Sequence, residues 1–310
     1  MPIDISTRFS FELAEPADVL LQFEAAAIPE QTILDSRCTT SAGEDLARVP
    51  AQDAIGERLW VRANGRFEID YTARVEVRRM VGDIAALGGL DPHALPGEAV
   101  EYLFDSRYCP ADRFQPFVAS RFGESDGGAR VQAICDWIGE NFSYVPMSSD
   151  SNTTALDSFV ERRGICRDYA HVLITLVRAS AIPARYVSAY APGVEPPDFH
   201  ALAEVFLADP TIEGGGAWYL VDATGMADPA STVKIGVGRD AADVSFMTVF
   251  GEAQFGDKEV SVKELPCCRR SMVALPRQSW HGRLREAMVR CSIGIGPLWE
   301  PVRGIDDVHR

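Results

Sequence analysis

The chain has 310 residues, 46% hydrophobic and 24% charged, with a net charge of −15 and seven cysteines. That apolar content is enough for one large or two modest globular domains and excludes a chain disordered throughout. The acidic balance argues against a nucleic-acid partner, which needs a basic footprint, and no apolar run reaches the ~18 residues of a membrane span. An odd cysteine count fits a reducing compartment better than a disulfide scaffold. Met1-Pro2-Ile3-Asp4 lacks a basic segment followed by an apolar one, so the expectation is a cytoplasmic protein with no membrane partner.

From Thr7 to about Arg79 the signals are extended. Arg8 to Leu13 alternates at period two, and Val19 to Ala25 reads as a partly buried strand. Glu57–Arg62 and Arg66–Val75 flank Ala63-Asn64-Gly65, which reads as a hairpin, because Asn-Gly accepts the positive φ angles of a tight turn. Residues 1–85 are therefore expected to be a small antiparallel β-domain acting as scaffold or lid. Gly and Pro cluster from Gly88 to Gly97, which marks a linker.

A helical run to Phe122 follows, and then Val131, Ile134, Ile138 and Phe142 share one helical face. Tyr144 lies in the loop after them, either as a cleft-lining residue or as a structural aromatic. Next comes Arg163-Gly164-Ile165-Cys166-Arg167-Asp168-Tyr169-Ala170-His171, a glycine-led turn opening an apolar helix that runs to about Ala179 and stops before Ile182-Pro183. A thiol in the first turn of a helix meets unpaired backbone N–H groups and the positive end of the helix dipole, both of which favour thiolate. Thiolate is the nucleophilic form, so Cys166 is the candidate nucleophile, and its own N–H is one candidate oxyanion donor. The second donor has no sequence signal. His171 follows five residues later, about 500° around an ideal helix, and so points away from Cys166. Asp168 sits where a carboxylate favours a helix N-terminus.

Asp198 to Leu207 and Ala217 to Thr224 read as two strands joined through Asp209-Pro210 and Gly214-Gly215-Gly216. In a hairpin, His200 and Asp222 both lie at its open end, and strands about 4.8 Å apart let a carboxylate reach an imidazole. They are the candidate base and its orienting partner. Helices first and strands afterwards give an α+β core.

Four ordered blocks, Gly164–His171, Ile182–Ser188, Asp198–Ala201 and Val221–Thr224, together resemble the bacterial transglutaminase-like superfamily. The resemblance runs from about Met1 to Lys263 and includes the later run Gly238-Arg239-Asp240-Ala241-Ala242-Asp243-Val244. It implies a papain-like, transglutaminase-like cysteine-protease core at 98–263, with Cys166 as nucleophile, His200 as base and Asp222 as orienter. Superfamily members include proteases, transglutaminases, deglycosylating amidases and inactive proteins, so it names no substrate. Ile165 stands where animal transglutaminases carry Gln, which sets this chain apart from that branch. Ala223 stands where bacterial relatives often carry Pro.

Residues 264–310 are mildly basic, with a short helical signal near Leu284–Met288 and low order elsewhere. Cys166, His200 and Asp222 are all metal-ligand types, yet no CxxC or HExxH spacing is present and Cys267-Cys268 is poor for tetrahedral ligation, so no metal is expected. No phosphate-binding loop or EF-hand appears, and no cofactor is implied. The expected activity is thiol-dependent hydrolysis of a peptide or protein amide bond. The alternatives are transamidation, or a protein-binding module on the same fold.

Overall fold

The computed structural model describes residues 1–41, 44–79, 81–212 and 215–265. The tail features expected beyond Pro266, including the helix near Leu284–Met288, lie outside the described residues.

Two long strands carry the first sheet: β1 (Pro2–Leu21) and β4 (Glu57–Val77), antiparallel along their whole length. β2 (Gln31–Thr40) and β3 (Glu44–Pro50) pair with the two halves of β4. Period-two alternation explains the inward face, since Ile3, Ile5, Phe9, Phe11 and Leu13 of β1 are buried against Val61, Phe67, Ile69 and Tyr71 of β4.

Asn64-Gly65 does not turn the chain. β4 runs straight through it, and Leu13 pairs with Gly65 while Ala17 pairs with Ala63, leaving a bulge in β1. Gly65 still uses its positive φ, 68°. A two-residue turn at Asn64-Gly65 pairs residues 63 and 66 and would send Val61 and Phe67 to opposite faces, whereas the straight strand keeps both in one core.

The same sheet takes two strands from much later in the chain. β11 (Met247–Phe250) and β12 (Ala253–Glu264) both pair with β1. This segment, expected within the 98–263 core, pairs with the first sheet.

The linker region packs onto the helices, with Gly128 N–H donating to Leu87 O at 2.9 Å. Three helices follow α1 (Gly97–Val100): α2 (Gln115–Phe122), α3 (Gly127–Asn141) and α4 (Ala155–Glu161). α5 (Cys166–Arg178) is buried from Asp168 onward, so it runs through the core instead of lying on a surface. It packs on a second antiparallel sheet ordered β10 (Val233–Gly238), β7 (Ala184–Tyr190), β8 (His200–Ala208), β9 (Gly216–Val221). The two sheets share apolar contacts: Tyr190, Val233 and Ile235 of the second join the core of the first, and Tyr190 Oη donates to Phe23 O at 2.7 Å. No helix among the described residues is long and apolar enough to cross a membrane.

Candidate active site

Cys166 is the first residue of α5 and is half-buried. The turn before it is held by Asp168, whose carboxylate accepts the Ile165 N–H at 2.8 Å and the Ser149 hydroxyl, and contacts the Arg167 guanidinium. Gly164 is required there. A Cβ at that position would stand 2.5 Å from Asp168 Cβ, closer than side chains pack. A two-residue parallel pair, β5 (Ser143–Tyr144) with β6 (Arg163–Gly164), braces the same turn from the other side.

His200 opens β8, and Asp222 follows the last residue of β9. His200 Nε2 lies 3.0 Å from Asp222 Oδ2, and both side chains are buried. The second imidazole nitrogen, Nδ1, is buried with no hydrogen-bond partner among the described residues. Burial pulls the His200 pKa down, but the bond to Asp222 and the nearby Cys166 thiol outweigh it and raise the value to about 9. Asp222 is fixed in turn, with Oδ2 accepting the Ala227 N–H at 2.8 Å and Oδ1 the Thr224 hydroxyl at 2.7 Å. Burial opposes its ionisation, yet the His200 contact and these donors hold its carboxyl below the usual range. His200 and Asp222 are thus paired, and Cys166 lines the same cavity as His200. Burial pushes the Cys38 thiol up to about 11 and those of Cys109 and Cys135 up to about 12.

Cys166 and His200 line a cavity of about 660 Å³. Phe199, Phe246 and Lys258 form one wall, with Lys258 Nζ bonded to Asp198 at 2.6 Å. Lys258 belongs to β12, so the first sheet contributes directly to the cleft. Tyr108, Ala241 and Ala242 form another part of the wall. The Gly238–Val244 run builds this wall: Arg239 bonds Asp243 at 2.9 Å, and Asp240 accepts the Tyr108 and Ala242 N–H groups.

His171 is not part of the Cys166 cluster. It is buried beneath the wall, stacks on Tyr108 at 5.1 Å, and its Nε2 accepts the Ala241 N–H at 3.2 Å. Burial drives its pKa well below 6.5. Tyr144 does line the cavity. Tyr108, Phe246 and Lys258 were missed from sequence, because no local pattern brings such distant positions to one cleft. Among the described residues, no group of three or more His, Cys, Asp or Glu side chains is arranged to hold a metal ion.

The arrangement has known counterparts. A model of the transglutaminase-like superfamily matches residues 117–223. A solved structure described as a "putative cysteine protease" from Cytophaga hutchinsonii is 31% identical, with a TM-score of 0.77 over 86% of this chain and 91% of that one. An uncharacterized Mycobacterium leprae protein is 27% identical over 47% of this chain and 53% of its own length. An uncharacterized Mycobacterium tuberculosis H37Rv protein is 32% identical over 37% of this chain and 39% of its own. The chain thus spans about half or less of the mycobacterial relatives it matches.

Proposed function

We infer the activity from a chain that belongs to the transglutaminase-like superfamily and whose Cys166, His200 and Asp222 converge: a thiol-dependent hydrolase cleaving a peptide or other amide bond. The observation that carries this reading is His200, bonded through Nε2 to Asp222 at 3.0 Å with Nδ1 free, in the cavity that Cys166 lines.

In this mechanism the Cys166 thiolate attacks the amide carbonyl and forms a C–S bond, and the carbonyl π electrons move onto oxygen. The oxyanion collapses, the C–N bond breaks, and the His200 imidazolium delivers the proton that the amine leaves with. A thioester remains on Cys166. Neutral His200 then takes a proton from water, whose oxygen attacks the thioester; the C–S bond breaks, and the acid leaves with the Cys166 thiolate and the His200 imidazolium restored. Asp222 keeps the imidazole in the tautomer and orientation that each step uses. Water serves as acceptor because it needs no second binding site; product analysis with an added primary amine separates hydrolysis from transamidation.

The test is the pH dependence of iodoacetamide alkylation, read by peptide mass spectrometry on the wild type and on His200→Ala. Fast modification of Cys166 well below the ordinary thiol pKa of about 8.5, slowed by the His200 change, is the expected result. A Cys166 no faster than the other cysteines of the native protein rules the nucleophile out.

A further inference from the structure

We propose that Tyr144 is the second donor of an oxyanion hole whose first donor is the Cys166 backbone N–H. The inference rests on the acyl-transfer reading of Cys166 and assigns a group that the reading leaves open.

Acyl transfer needs two fixed donors where the carbonyl oxygen becomes negative, and they must be in place before the reaction. Cys166 N–H is one of the first-turn donors that no helical carbonyl reaches. No backbone carbonyl among the described residues accepts it. Ile165 N–H is engaged by Asp168, and the Asp168 and Tyr169 N–H groups return to Ile165 O. For the second donor, side-chain amides and indoles are absent from the described cavity wall, which contains no Asn, Gln or Trp. Hydroxyls remain. Tyr108 commits its own to Ser151 O at 2.8 Å.

Tyr144 is placed by backbone. It pairs with Gly164, two residues before the nucleophile, and the neighbouring bonds Ser143 N to Arg162 O at 2.9 Å and Val145 N to Gly164 O at 3.0 Å lock that register. Its ring is steadied by Tyr169, one turn into α5, at 6.0 Å. Tyr144 is only half-buried and lines the same cavity as Cys166, so it is not a closed-off core aromatic. Burial pushes the phenol up to about 12, and the Cys166 thiol and backbone N–H are the polar groups that next bear on it. The hydroxyl therefore keeps its proton at neutral pH and has one to donate.

As the C–S bond forms, the electron pair leaving the C=O bond settles on oxygen. The Tyr144 O–H and the Cys166 N–H donate to that oxygen without transferring their protons. When the C=O bond is restored and the amine departs, both donors return to their starting state. Tyr144 therefore changes the height of the barrier and not the chemistry.

Two reagents separate this role from a structural one. Iodoacetamide alkylates by displacement at a methylene carbon and creates no oxyanion, whereas p-nitrophenyl acetate acylates through a tetrahedral oxyanion and reports by releasing p-nitrophenolate. Both are applied to the full chain, with Cys166 modification checked by peptide mass spectrometry. Tyr144→Phe is expected to keep the alkylation rate and its pH profile within about threefold of wild type, while acylation falls by about a hundredfold, as loss of one oxyanion donor does. Retained alkylation also shows that the turn is folded. Tyr186→Phe, which removes the other phenol that senses Cys166, is expected to spare acylation. A parallel fall in both reactions of Tyr144→Phe, an unchanged acylation rate, or a loss confined to Tyr186→Phe overturns the assignment. A wild type inert to both reagents removes the nucleophile and this proposal with it, whereas a reactive wild type with an indifferent Tyr144→Phe removes Tyr144 alone.

Discussion

Asp222 Oδ2 stands 3.0 Å from His200 Nε2 across the open end of the β8–β9 hairpin, in surroundings that bury both groups. Asp222→Asn keeps the size and removes the charge. His200 then loses the bond and the field that raise it to about 9, so the imidazolium that favours a Cys166 thiolate survives over a narrower pH range. NMR titration of His200 is expected to move to lower pH, and alkylation of Cys166 near pH 7 to slow by roughly tenfold or more. An unshifted His200 titration contradicts the role assigned to Asp222.

The same pair makes stability depend on pH. The folded His200 pKa of about 9 lies above the unfolded value of about 6.5, so its stabilisation is complete below that unfolded value and is lost as pH rises through the folded one. Denaturant titrations across this window should show a loss on the order of 3 kcal/mol in the wild type. The loss should be much smaller in Asp222→Asn; equal slopes for the two proteins exclude the linkage.

Gly164→Ala places its methyl carbon 2.5 Å from Asp168 Cβ. Relief requires the turn to shift, which weakens the Asp168 bond to Ile165 and moves Cys166. The expected cost is about 1–3 kcal/mol of stability, accompanied by slower alkylation of Cys166. A variant of full stability and full reactivity shows that the close approach is unimportant.

Glu204 carries weight that no motif announces. Its carboxylate is 1% exposed and bonds Arg185 at 2.7 Å and the ammonium of Lys234. Burial opposes its charge, but Lys234 and Arg185 hold its pKa down at about 2. Glu204→Gln leaves two buried cations short of an anion, and a loss of about 3–5 kcal/mol is expected by urea denaturation at neutral pH. In the wild type this contribution is present above the ordinary carboxylate pKa and disappears as pH falls toward 2. A variant within 1 kcal/mol, about the span of a surface change, refutes the estimate.

His171 and His200 make opposite predictions. His171→Gln disturbs the Ala241 wall through a bond of 3.2 Å, so thermal stability is expected to fall while Cys166 alkylation stays within about threefold. His200→Ala removes the candidate base and is expected to slow alkylation about a hundredfold at neutral pH. A reversal of that order makes His171 the base.

Each of the candidate residues stands in a local setting with a short-range signature. Cys166 follows a glycine-led turn and opens a helix, and His200 and Asp222 fall at one end of two strands separated by turn residues. Period two accounts for the inward residues of the first sheet, but Asn64-Gly65 has the signature of a turn and lies inside a straight strand. A turn-forming dipeptide states which φ angles are available, and the twenty residues of β1 lying alongside decide whether the chain bends.

By itself, then, the sequence determined the nucleophile helix, the His200 and Asp222 strands, the α+β class and the chemistry of the three candidate residues, since helix and strand periods and side-chain chemistry are local properties. Tertiary structure decided what depends on distant segments meeting: β11 and β12 closing onto β1, Lys258 reaching the cleft, Tyr144 braced beside Cys166, and Glu204 buried between cations. Hydrogen bonds, desolvation and Coulomb attraction act across a few ångströms of space whatever the separation along the chain, so their partners become visible only once the chain has folded.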